Sequence, residues 1–80
     1  MAGPPPAAIL EMAQRMMQAG RPSEAANIVS AITSMPIATA DALILHVEAL
    51  SAAGRREEAL IARRKAVAAG VPFAELPDLR

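Results

Sequence analysis

The stretch Ala19-Gly20-Arg21-Pro22-Ser23-Glu24-Ala25 returns thirty-four positions later as Ala53-Gly54-Arg55-Arg56-Glu57-Glu58-Ala59. The echo extends toward the N-terminus, where Ile9, Met12, Ala13 and Met16 align at the same offset with Leu43, His46, Val47 and Leu50. Each set has the spacing i, i+3, i+4, i+7, which gathers side chains on one face of an α-helix. Gly20, Gly54 and Gly70 each follow such a segment, where glycine takes the left-handed conformation that ends a helix without a Cβ penalty. Pro22 sits where a second helix starts and its missing N–H costs nothing. Pro36 and Pro72 close the second and fourth segments. Thr39 is placed to cap a third helix, with Asp41 favourably in its first turn.

These signals predict an all-α fold with helices near 7–18, 22–34, 40–52 and 56–69. Loops of about three residues make neighbouring helices antiparallel, giving two helix-turn-helix hairpins. The chain divides into a Pro-rich lead-in at 1–5, hairpins at 6–37 and 38–71, and a tail at 72–80 that is expected to fold Phe73 and Leu76 back over the last helix.

Composition agrees. Apolar residues make up 54% of the eighty positions, yet Phe73 is the only aromatic and twenty residues are Ala. Ala favours helix and lets helix axes approach closely, whereas strands draw on β-branched and aromatic residues. The formal net charge is zero, so no global field steers the chain to nucleic acid or an anionic membrane. Cysteine is absent, which removes disulfides and thiolate chemistry and suits a cytoplasmic setting. Asp41, His46 and Glu48 interrupt the longest apolar region before it reaches the roughly 18 residues of a membrane span.

The thirty-four-residue period, with Ala13, Gly20 and Ala25 in one unit and Val47, Gly54 and Ala59 in the next, resembles the tetratricopeptide repeat family. Two units span roughly residues 6 to 71. Ile9, Met16, Leu43 and Leu50 stand where that family carries aromatics, and Ile32 stands where it has a small residue, a position that Ala66 fits. The resemblance implies a short solenoid of stacked hairpins that binds another protein. Two units are fewer than the roughly three normally needed, so a second copy or a partner is expected to complete the core. In the fourth helix Ala59, Ala62, Arg63 and Ala66 replace Ala25, Ile28, Val29 and Ile32, as suits an end helix facing water.

By the same resemblance, the binding groove falls at Leu10, Gln14, Met17, Gln18, Asp41, Ile44, Glu48 and Ser51. Leu10, Met17 and Ile44 lie off the buried stripes; they either complete the internal core or receive the apolar face of a partner helix. A second candidate surface is basic: Arg55, Arg56, Arg63, Arg64 and Lys65 fall within eleven positions, and neither Glu57 nor Glu58 has a basic residue four places on to neutralise them. That surface suits an acidic protein partner, a solvated face or, in a neutral chain without stacking aromatics, weak nucleic-acid contact.

Residues for catalysis do not converge. His46 is the only histidine, and with no second His or Cys it reads as structural rather than as a metal ligand. Asp41 and Ser51 lie five residues either side of it and project from different helix faces, so no triad forms. Glu57 and Glu58 are explained by a helix start, and no glycine-rich phosphate loop or cofactor motif is present. The expectation is a non-enzymatic adaptor or chaperone-like module without cofactors. In size and repeat it is similar to the small tetratricopeptide-type chaperones of bacterial secretion systems, which cup an amphipathic helix. The alternatives are a homodimerisation or docking domain of a larger assembly and a weak nucleic-acid accessory protein.

Overall fold

The structure, a computed structural model, describes residues 5–35 and 38–79. Its helices are α1 (Pro6–Gln18), α2 (Pro22–Thr33), α3 (Ala40–Ala52) and α4 (Arg56–Ala68), followed by one 3-10 turn at Phe73–Glu75. Each boundary lies within one residue of the sequence expectation. The stop assigned to Pro36, most of the Pro-rich lead-in and the terminal Arg80 fall outside the described residues.

The repeated turn has one geometry, used twice. The Arg21 N–H donates to the Met16 carbonyl at 2.8 Å and the Gly20 N–H to that of Met17 at 3.1 Å. One repeat later Arg55 donates to Leu50 at 2.9 Å and Gly54 to Ser51 at 3.1 Å. This paired closure satisfies carbonyls that a helix end leaves orphaned, and it requires a left-handed residue between them. Gly20 and Gly54 supply it, with φ of 76° and 75°. At the head of α3, the Thr39 hydroxyl accepts from the Ala42 N–H at 3.3 Å.

Consecutive helices pack against each other, whereas α1 touches α3 only lightly. α2 therefore lies against both α1 and α3, and α3 against both α2 and α4. The shared core is built on small residues: Ala13, Ala25, Ala49, Ala59 and Ala66 are completely buried. Their lack of bulk lets the helices close on Val29, Val47 and Leu50, the largest fully buried side chains. Burying each of those three contributes roughly 1.5–3 kcal/mol. The one buried polar residue among those described, Thr33, donates from its hydroxyl to the Ser30 carbonyl at 3.2 Å.

The two outer helices depart from their inner counterparts. On α3, Ala42 and Ala49 are buried and Leu45 and His46 half-buried; on α1 the aligned residues are Ala8, Arg15, Glu11 and Met12. Glu11 and Arg15 form an exposed ion pair at 2.8 Å, and Met12 is 49% exposed. Met12 thus leaves the buried stripe in which the periodicity placed it. The physical reason is that α3 has α2 packed against it, whereas among the described residues no helix covers that side of α1.

At the other end, Arg56, Leu60, Arg63, Arg64 and Val67 of α4 align with Pro22, Ala26, Val29, Ser30 and Thr33 of α2. A covering comes from the chain itself. Val71 and Leu76 join the buried core, and Leu79 packs against it. Phe73 behaves differently from expectation: its ring lies 5.1 Å from the Arg63 guanidinium carbon, yet the residue is 64% exposed. The 3-10 turn turns the ring outward onto a cation while Leu76 takes the buried place.

Candidate functional site

α1 and α3 stand side by side on one flank of α2, and the predicted groove residues occur on that pair. Leu10, Met17 and Ile44 are half-buried and packed on the core, with part of each side chain facing outward. Gln14, Gln18, Asp41, Glu48 and Ser51 are exposed around them. The three aliphatics therefore contribute to the internal core while keeping part of their surface exposed. Asp41 and Glu48 make no ion pair among the described residues, so their carboxylates give this flank an uncompensated negative rim.

The basic run does not form one face. Arg55 turns toward α2, donating to Asn27 Oδ1 at 3.1 Å and Ser23 Oγ at 3.3 Å, and it also pairs with Glu58 Oε2 at 2.5 Å. In place of the i, i+4 pairs that the sequence lacks, Arg55 thus has an i, i+3 partner. Lys65 donates to the Thr33 carbonyl at the end of α2. Arg56, Arg63 and Arg64 remain on the tail side, two of them around a concavity of about 360 Å³ with Val67, Ala68 and Phe73.

A concavity of about 300 Å³ opens between α2 and α4, floored by His46 and Leu50 and rimmed by Ser30, Ser34, Ile61 and Lys65. None of the predicted groove residues lines it. Burial lowers the His46 pKa below its ordinary 6.5, and the positive charges of Lys65 and Arg55 lower it further against the opposing pull of Glu58. The imidazole is therefore predominantly neutral at pH 7. Glu58 is lowered from 4.5 chiefly by its hydrogen bond from Arg55.

No known protein family, curated protein or solved structure matches the chain. Its chemistry has to be read from the geometry. Among the described residues no group of three or more His, Asp or Glu side chains gathers closely enough to hold a metal ion. No helix among them is long and apolar enough to cross a membrane.

Sequence reasoning missed the two-sided use of the basic run and the α2/α4 concavity. The first had a readable signal, since Arg55 and Glu58 repeat the spacing of Arg21 and Glu24. The second had none, because it depends on how far apart α2 and α4 lie across α3.

Proposed function

We propose that this chain is a non-enzymatic protein-interaction module, adaptor or chaperone-like, that docks an amphipathic helix of a cytoplasmic partner across the α1/α3 flank. The observation that carries the reading is the row of partly exposed aliphatics, Leu10, Met17 and Ile44, bordered by the unpaired carboxylates of Asp41 and Glu48. Apolar side chains held half in the core offer a pre-ordered surface, which lowers the entropy lost on binding. A helix with apolar residues at i, i+3, i+4 and i+7 matches that surface, and Lys or Arg along its edge meets the two carboxylates. The tetratricopeptide resemblance supports the same flank, because it assigns ligand contacts to the first helix of each unit.

The test is selection from a library of amphipathic helical peptides whose flanks are basic, neutral or acidic. Basic-flanked helices are expected to be enriched. Glu48→Lys, an exposed change that leaves packing untouched, should weaken their binding at least about fivefold, equivalent to ~1 kcal/mol. Enrichment of acidic-flanked helices, or indifference to Glu48→Lys, contradicts the assignment.

A further inference from the structure

The α4 surface at the end of the stack differs in chemistry from the α1/α3 flank. Arg56, Leu60, Arg63, Arg64 and Val67 fall on one side of that helix by their three- and four-residue spacing. The aligned side of α2 is where α3 docks. On α4 the segment after Gly70, non-helical apart from the single 3-10 turn, runs alongside: Phe73 lies beside Arg63 and Val67, and Asp78 and Leu79 beside Arg56.

The covering segment has a definite chemistry. Its sequence, Val71-Pro72-Phe73-Ala74-Glu75-Leu76-Pro77-Asp78-Leu79, combines two leucines with two carboxylates. Leu76 is 9% exposed and Leu79 packs on the core. Asp78 and Leu79 share a concavity of about 450 Å³ with Arg56, Ser51 and Gly54. Farther along the helix Phe73 lies over Arg63, and the adjoining space reaches Arg64 and Val67. The cover is incomplete, for Val67 is still 43% exposed beside it. Neither Arg63 nor Arg64 has a carboxylate within ion-pair distance among the described residues.

We propose that this α4 surface is a docking site for acidic, leucine-bearing extended segments of a partner protein, and that residues 71–79 occupy it in cis as a displaceable strap. The chain itself shows that leucines seat on the core at this end of the stack, and Arg63 and Arg64, with no carboxylate beside them among the described residues, are the charges that acidic residues of a partner segment would complement. A partner segment with the same pattern competes with the strap, so its apparent affinity is reduced by the fraction of time the strap is open.

The experiment uses the full chain and a labelled peptide with the sequence of residues 71–79, followed by fluorescence anisotropy. Leu76→Ala/Leu79→Ala loosens the strap; with helicity checked by circular dichroism, it is expected to bind the peptide about ten- to a hundredfold more tightly than the unmodified chain. Adding Arg63→Ala/Arg64→Ala should remove that gain, and a peptide with Gln and Asn in place of its Glu and Asp should bind poorly. Should the double leucine variant lose helicity, Phe73→Ala, which removes an exposed side chain, serves instead with a smaller gain of the same sign. A helical loosened variant that binds no better than the unmodified chain overturns the proposal. Equal binding of the acidic and neutral peptides does so too, as does binding of a single-stranded oligonucleotide in place of the acidic peptide.

Discussion

Arg55, at the N-terminal boundary of α4, is hydrogen-bonded to Asn27 of α2 across the hairpin junction at 3.1 Å, whereas Arg21, its counterpart one repeat earlier, has only an exposed 3.5 Å pairing with Glu24. The same local motif thus acts as an interhairpin tie in one unit and as a surface ion pair in the other. Arg55→Ala is expected to destabilise the fold by about 1–2 kcal/mol, through lost charge-assisted hydrogen bonds at a partly screened site. Arg21→Ala should stay within about 0.5 kcal/mol. Urea unfolding of the two variants measures the difference, and equal effects would remove Arg55 as a tie.

The two glycine turns give a second expectation. No atom lies within 4 Å of where a Cβ would sit at Gly20 or Gly54, so a substitution there meets no obstruction. The cost of Gly54→Ala is then purely conformational, about 1–2 kcal/mol for a left-handed alanine. Gly54→Asn should recover part of it, since Asn tolerates that region better. Thermal unfolding midpoints in the order Gly, Asn, Ala check this, and an Asn variant no better than Ala contradicts it.

How much of this architecture was legible in the sequence depends on what each residue reports. The turns at Gly20 and Gly54, the cap at Thr39 and the four helix spans are local events, written in residues a few positions apart. Ala13, Val47 and Leu50 were placed correctly because their three- and four-residue spacing marks the buried face of each helix. Met12 was not, since its aligned position, His46, lies beside α2 and α4, whereas no described helix covers Met12, and periodicity within one helix does not report which neighbours it has. Lys65 likewise reaches Thr33 through the stacking of two hairpins, a relationship that periodicity within one helix does not encode. That Leu10, Met17 and Ile44 lie on the first helix of each hairpin was readable, while the division of the basic run between two sides of α4 was not.

Core size sets a third prediction. Ala49 is completely buried in α3, in a position whose α1 counterpart is the exposed Arg15. Ala49→Leu should therefore overpack the core and cost about 1–3 kcal/mol. Leu50→Ala opens a cavity at one of the largest buried side chains and should cost about 2–5 kcal/mol. Both are read from the calorimetric midpoint, and an unchanged midpoint for Ala49→Leu would mean that space exists beside that residue.

Acid sensitivity is the fourth. His46 has a folded pKa below 6.5, so the unfolded chain takes up its proton first and protonation favours unfolding. Its contribution to stability is fully present above pH 6.5 and is lost progressively as pH falls through the window between 6.5 and the depressed native value. Glu58, also lowered, adds a separate loss below pH 4.5. Unfolding free energy followed from pH 7.5 to 5 should fall for the native chain and flatten over that range in His46→Gln. A native chain that gains stability on acidification through this range would reverse the assigned sign.

The central claim, that the α1/α3 flank receives a basic-edged amphipathic helix, is tested most directly by titrating a selected peptide of that kind into the isotopically labelled chain and following backbone amide shifts. The account predicts saturable shifts concentrated at Leu10, Gln14, Met17, Ile44 and Glu48, with Ile61 and the other residues around the α2/α4 concavity unmoved. Shifts centred on Ser34, His46 and Ile61, or no saturable binding by any basic-edged helix, would contradict it.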